Sequence, residues 1–130
     1  SDVCSSDLDV SVPVSRIAEF IDAAETAVLA FEPGARISAF GHVGDGNLHY
    51  DVMRPLDADP AAFMARQPQG SKVVHDLVAA FDGSISAEHG LGRLKTDEAR
   101  RYKSDVEQDA MRAIRAALDP HRIMNPAVLF

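Results

Sequence analysis

Apolar residues recur along this chain in two spacings, one typical of helices and one typical of strands. Between Pro13 and Glu32 they follow the i, i+3, i+4, i+7 pattern, which predicts a helix with one buried face. Segments 36–40 and 48–53 alternate apolar and polar positions, which predicts two strands. Because a Gly-Asp-Gly sequence at 44–46 lies between them, we expect an antiparallel hairpin.

The second half of the chain is mainly helical in its pattern. Apolar spacing predicts a helix over 71–81, and Gln67-Pro68-Gln69-Gly70 predicts an interruption between it and a helix start at 57–60. Two further helices are predicted over 95–102 and 105–118.

Two shorter apolar segments complete the order of elements. Val10-Ser11-Val12 is typical of the end of a strand, and Ser84-Ile85-Ser86 predicts a short one. The order β-α-β-β-α-β predicts an α+β fold, with a ferredoxin-like antiparallel sheet and its helices on one face. His75 and His121 are expected on the surface.

Composition narrows the class of protein. The 130 residues suffice for one domain or a piece of one, and the net charge of −7 argues against nucleic acid or an anionic membrane as partner. The sequence contains no apolar run near the roughly 18 residues of a membrane span, and no signal peptide. We expect a cytoplasmic protein, with peripheral attachment at the inner face of the membrane left open.

The first eight residues have an unusual sequence. Residues 1–8, SDVCSSDL, look like the translated end of a common sequencing adapter, so we predict that they are an artefact. The natural sequence would then begin near Asp9 in this numbering and continue upstream. The alternative is a short N-terminus without regular structure.

Four polar residues on two glycine-rich segments are the candidate chemistry. His42 and His49 flank the Gly-Asp-Gly turn, and Glu88 and His89 lie in a second glycine-flanked segment. Imidazole and carboxylate groups are ligands of catalytic zinc, so His42, His49 and Glu88 are candidate ligands. His89 would then be free as a general base.

Simpler explanations stay open for these residues. Any single histidine among them can be merely hydrogen-bonded in a core, and the Gly-Asp-Gly turn can be no more than a hairpin connection. Asn47 and Asp51 share a strand face with His49, which makes both candidate substrate contacts. A stand-alone metal-binding module, or a metal hydrolase that uses Glu88 or His89 to activate water, would carry the same residues.

Three stretches resemble the C-terminal lobe of FAD-linked oxidases. They are GHVGDGNLH at 41–49, GSISAEHGLGRLK at 83–95, and LDP at 118–120 with IMNP at 123–126. The nearest resemblance is to D-2-hydroxyacid dehydrogenases and the glycolate oxidase catalytic subunit, within the vanillyl-alcohol-oxidase flavoprotein superfamily. It covers 9–130 and implies a fragment whose N-terminal FAD-binding domain is missing.

The resemblance implies roles for particular residues. His42, His49 and Glu88 match the zinc ligands of metal-dependent members, His89 matches the base, and Asn125 lies where the chain returns toward the flavin. It implies oxidation of a 2-hydroxy acid of the D-2-hydroxyglutarate, D-lactate or glycolate class by hydride transfer to FAD.

The resemblance also implies partners. The downstream electron acceptor would be a flavoprotein, quinone or cytochrome, and a homodimer is left open. We expect the chain alone to be inactive, because the FAD-binding domain is missing.

Two positions depart from this pattern. Relatives often have a substrate-binding lysine where this chain has Asp7, and often an asparagine where it has Asp51. A carboxylate at position 51 would repel an anionic substrate or bind metal, so the identity of the acid is open.

Overall fold

The computed structural model describes residues 5–128 and divides the chain into two units. The first unit ends at His89, and the second begins at Gly90. Four residues of the predicted artefact, including Cys4, and the last two residues of the apolar tail lie outside the described residues. Ser5 to Leu8, which that prediction also includes, lie within a strand.

The sheet of the first unit has three antiparallel strands in the order β1-β3-β2. The strands are β1 (Ser5–Ser11), β2 (Arg36–Phe40) and β3 (Asn47–Met53). The predicted hairpin of β2 and β3 is confirmed, and it places Phe40 opposite His49. On the other side of β3, Asp9 of β1 is opposite the same histidine.

The two faces of the sheet differ in polarity. Alternation places Leu8, Val10, Leu48, Tyr50 and Val52 on one face, and all five are buried. Helices α1 (Ile17–Phe31) and α2 (Pro60–Ala80) cover this face. The ring of Phe20 meets that of Tyr50 edge-on, with centroids 6.2 Å apart. The α+β class is therefore confirmed, and the polar residues of the strands are left on the opposite face.

Helix α2 corrects the prediction of an interruption near Pro68. The helix runs from Pro60 to Ala80 with Pro68 inside it. Proline removes one helical hydrogen bond, to the carbonyl of Met64, but both residues are exposed and water can reach that carbonyl. Buried Phe63 on one side of the proline and Val74 on the other hold both halves to the core.

Two smaller predictions in the first unit also need correction. The strand predicted at 84–86 is reduced to one antiparallel bridge between Ser84 and Ser11, so the fourth strand of a ferredoxin-like order is nearly absent. His75 is buried rather than on the surface, because it lies beside Val74 on the inner side of α2. His121 is exposed, as predicted.

The second unit contains two helices and a turn-rich tail. Helices α3 (Thr96–Tyr102) and α4 (Asp105–Leu118) agree with the predicted segments. Ser104 and Glu107 form a capping box at the start of α4, in which each side chain bonds to the other's backbone. Among the residues that the structure describes, none of the helices is long and apolar enough to cross a membrane.

Candidate metal and proton-transfer site

The candidate site lies on the polar face of the sheet in the first unit. Four side chains, Asp9, His49, Glu88 and His89, bring one ligand atom each within 4.8 Å of one another. Asp9 comes from β1, His49 from β3, and the other two from the loop that follows Ile85. Residues from three separate parts of the first unit therefore converge at one place.

Asp9 binds the backbone of the loop that carries Glu88 and His89, which we call the Glu-His loop. Its Oδ2 accepts N–H hydrogen bonds from Ala87 at 3.1 Å, Glu88 at 2.9 Å and His89 at 2.7 Å. The side chain is fully buried, and Oδ1 has no hydrogen-bond partner among the described residues. Three successive N–H groups that converge on one oxygen form a small anion-binding concavity.

The loop places both of its polar side chains beside His49. Glu88 Oε1 lies 3.1 Å from His49 Nε2, and the rings of His49 and His89 are 5.2 Å apart. His89 Nδ1 lies 3.9 Å from Asp9 Oδ2. Adjacent residues in extended backbone would diverge, so this convergence requires the loop, and Gly90 continues it with a left-handed φ of 74°.

The backbone of the loop also determines the charge state of Asp9. Burial by itself raises the pKa of Asp9, but the N–H groups of His89 and Glu88, the charge of His89 and the N–H of Ala87 outweigh it. The pKa of Asp9 is therefore held below its ordinary value of 3.8. The carboxylate stays ionised at neutral pH, inside the protein, because the loop compensates for its lost hydration.

Two further carboxylates lie one step along the same strands. Asp7 of β1 is opposite Asp51 of β3, and Asp7 Oδ1 lies 3.8 Å from His49 Nδ1. Burial and then the charge of Asp7 raise the pKa of Asp51, while His49 lowers it less. This side of the site is strongly acidic, at the two positions where the sequence departs from the resembled family.

His42 does not join the group. The position on β2 that faces His49 is held by Phe40, whose ring stacks on the imidazole with centroids 5.1 Å apart. His42 lies beyond the end of β2, exposed, before a turn of 3₁₀ helix over Val43–Asp45. The connection is therefore longer than the tight turn expected, and it carries His42 away from the register of His49. Its assignment as a ligand stays a prediction.

The turn itself shows why a glycine occupies position 46. Gly46 has a left-handed φ of 73°, and a Cβ there would lie 2.2 Å from the carbonyl oxygen of Val12. Its own carbonyl accepts the Val12 N–H at 3.0 Å. Glycine thus lets the hairpin connection pack directly against the end of β1.

The other predicted contacts lie in different places. Asn47 is buried beside the site on β3, opposite Ser11, and its side-chain oxygen has no partner among the described residues. Asn125 belongs to the second unit, in the tail after α4, with a left-handed φ of 44°. Its proposed contact with flavin stays a prediction.

Sequence reasoning missed Asp9 as a member of the site. One signal was present: the alternation of Leu8, Asp9 and Val10 places a carboxylate on the polar side of a strand. The partner, a backbone segment 78 to 80 residues away, leaves no trace in local pattern.

Comparison with known protein families gives the family of this chain. Residues 5–129 match the model of the FAD linked oxidases, C-terminal domain. The chain belongs to this family. The match covers β1, the hairpin and the Glu-His loop, so every residue of the candidate site lies within it.

Individual relatives of this C-terminal domain are dehydrogenases of hydroxy acids by name. D-2-hydroxyglutarate dehydrogenase of Xanthomonas citri pv. viticola is 42% identical over 94% of this chain, and that of Stutzerimonas stutzeri is 38% identical over 94%. D-lactate dehydrogenase of Anaerostipes hadrus is 34% identical over 95%. The chain spans about a quarter of each relative's length, 26% in all three.

The donor set fits a divalent metal ion. It consists of two imidazoles and two carboxylates, which are ligand types of zinc and of other divalent ions. Glu88 and His49 already stand within 3.1 Å of each other, so little rearrangement separates them from a shared ion.

Proposed function

We propose that this chain is the substrate- and metal-binding lobe of a two-lobed FAD-dependent dehydrogenase that oxidises a D-2-hydroxy acid to the 2-oxo acid. The observation that carries the proposal is the convergence of His49, Glu88 and His89 on one open sheet face, in a chain of the FAD-linked oxidase family. The names of the relatives favour a 2-hydroxyglutarate, lactate or glycolate class of substrate.

His49 and Glu88 are proposed to hold the ion, with His42 as a third ligand that must approach from the turn. When bound, a divalent ion such as zinc polarises the hydroxyl and carboxylate of the acid, and a flavin accepts the hydride. His89 accepts the hydroxyl proton while the Cα–H bond breaks and the C–O bond becomes a carbonyl. Its exposed ring is accessible to a substrate on the open face.

Asp51 shapes the choice of acid in this proposal. It lies on the same strand face as His49, one step from it, and is a carboxylate. Like charges repel, so a second carboxylate on the substrate is disfavoured near it. Asp51→Asn should lower KM for D-2-hydroxyglutarate more than for D-lactate, and an equal effect on both acids would remove Asp51 from substrate selection.

The base assignment is tested in the full-length protein with flavin bound. His89→Ala should lower kcat about 10²- to 10⁴-fold, because a positioned base is lost, while the flavin spectrum persists. His121→Ala, an exposed histidine of the second unit, is the matched control. Flavin reduction by D-lactate, D-2-hydroxyglutarate and glycolate is the assay. Unchanged turnover in His89→Ala would contradict its role, and no reduction by any of the three acids would contradict the activity.

The metal assignment is tested by elemental analysis of single variants. His49→Ala and Glu88→Gln should each reduce bound zinc strongly, since both ligand atoms belong to the observed group. His42→Ala decides whether the turn supplies a further ligand. Equal metal content in wild type and all three variants would refute the site. The cytoplasmic location, the electron acceptor and a homodimer stay predictions.

A further inference from the structure

Asp9 is the most deeply buried charge among the described residues of the first unit, and the Glu-His loop is hydrogen-bonded around it. A buried carboxylate is costly unless hydrogen bonds replace its hydration. Here three backbone N–H groups, from Ala87, Glu88 and His89, all point at Oδ2.

The direction of those three bonds has a geometric result. With the N–H groups turned inward to Asp9, the side chains of Glu88 and His89 project onto the open face. Glu88 reaches His49, and the ring of His89 comes to 5.2 Å from that of His49. Backbone pairing to β1 is sparse among the described residues of this loop: Ser84 bridges to Ser11, and the Ala87 N–H also donates to the backbone carbonyl of Asp9 at 3.3 Å, so Glu88 and His89 depend on the Asp9 side chain.

Strand pairing links the same aspartate to the third group. Asp9 is directly opposite His49 in the β1–β3 register. Asp9 therefore connects two parts of the site: it pairs with the strand that carries His49, and it hydrogen-bonds the loop that carries Glu88 and His89. Oδ2 of Asp9 accepts the three backbone N–H groups of the loop, and Oδ1 is buried. Asp9 therefore acts on the site by holding the loop.

We propose that Asp9 is the positioning residue of this site, which sets the distance of Glu88 and His89 from His49 by holding three consecutive backbone amides. The proposal rests on the proposed function for its effect on turnover, but its structural part stands on the hydrogen bonds alone. Groups that orient metal ligands and bases commonly affect turnover strongly without touching substrate.

The experiment compares Asp9→Ala and Asp9→Asn in the full-length protein loaded with flavin and zinc. Asparagine keeps an oxygen acceptor of the same shape, whereas alanine keeps none. Amide hydrogen exchange at Glu88 and His89 should be at least about tenfold faster in Asp9→Ala and intermediate in Asp9→Asn, with a smaller change at Ala87, whose N–H also donates to the Asp9 backbone carbonyl. kcat should fall about 10²-fold in Asp9→Ala and recover to within about tenfold of wild type in Asp9→Asn.

The matched control is Asp119→Asn, which alters a buried aspartate that accepts two backbone N–H groups in the second unit. It should leave exchange at 87–89 unchanged. Two results would overturn the proposal: wild-type amide protection in Asp9→Ala, or protection kept in Asp9→Asn while its turnover is as low as that of Asp9→Ala.

Other failures are distinguishable from these. If wild type reduces no flavin with any acid, the proposed function fails, and amide protection alone then decides whether Asp9 holds the loop. If Asp9→Ala does not fold, Asp9→Asn decides the question, because faster exchange at 87–89 with a folded first unit supports the proposal and unchanged exchange contradicts it.

Discussion

Two buried aspartates, one in each unit, hold a segment by its backbone, and they do so over very different distances along the chain. Asp9 binds three amides that lie 78 to 80 residues later. Asp119 binds the amides of Ile123 at 2.9 Å and Met124 at 3.0 Å, four and five residues later. Arg115 strengthens the second arrangement by donating to the carbonyls of Met124 and Asn125.

The comparison distinguishes a segment held by residues close to it in sequence from one held by a distant strand. The Asp119 tail organises itself within one short stretch of chain, through side-chain-to-backbone hydrogen bonds to residues four and five positions later. The Asp9 loop acquires its shape only when β1 is in the sheet, and it carries Glu88 and His89. The chemistry of the first unit thus depends on tertiary structure in a way that the tail does not.

Removal of Asp9 should have the largest effect on stability. Hydrogen bonds to a charged group contribute about 1.5–3 kcal/mol each and are not additive, so Asp9→Ala should reduce the free energy of unfolding of the first unit by about 3–5 kcal/mol. Urea denaturation measures this. Asp7→Ala on the same strand is the control and should change it by less than about 0.5 kcal/mol, because the Asp7 side chain is exposed and accepts no backbone N–H in the part of the chain that the structure describes. Equal losses of unfolding free energy in Asp9→Ala and Asp7→Ala would contradict the larger effect expected for Asp9.

Removal of Asp119 should have a smaller and more local effect. Two amides lose their acceptor in Asp119→Ala, and we expect a loss of about 1–2 kcal/mol. Hydrogen exchange should rise at Ile123 and Met124 and stay unchanged at 87–89. Faster exchange at residues 87–89 in Asp119→Ala would contradict the expectation that Asp9 and Asp119 act independently.

The sequence alone predicts the elements that depend on local contacts and fails for those that depend on distant ones. Helix α1, the hairpin and helices α3 and α4 were predicted, because apolar spacing and turn residues are local signals. The break at Pro68 was wrong because packing of α2 outweighs the lost bond. The strand at 84–86 was nearly absent, and Asp9 was missed, because both depend on partners far along the chain.

Acid should loosen the Asp9 loop by protonating Asp9. The pKa of Asp9 in the folded protein lies below the ordinary value of 3.8. A depressed carboxyl pKa contributes stability that is complete above the unfolded value and is lost as pH falls through the folded value. Stability measured from about pH 7 downward should therefore fall below pH 3.8 more steeply in wild type than in Asp9→Asn. Parallel curves would contradict the role of this charge.

The capping box should give the smallest effect and extends the comparison to a third carboxylate. Backbone and side-chain hydrogen bonds from Ser104 lower the pKa of Glu107 below 4.5, so its contribution to α4 is lost as pH falls through that lowered value. Glu107→Gln should remove this dependence. The amide proton shift of Ser104, followed through the acid range, measures it, and Asp109→Asn is the control. A transition that persists in Glu107→Gln would refute the assignment.

The strand order also determines when the site can form during folding. The β2–β3 hairpin is local and we expect it to close first, whereas His49 and Glu88 are 39 residues apart and Asp9 and Ala87 are 78 apart. Loop-closure entropy grows slowly, so doubling this separation costs only about 0.6 kcal/mol. We therefore expect the Glu-His loop to assemble late rather than at a high cost in free energy, after the β2–β3 hairpin has formed.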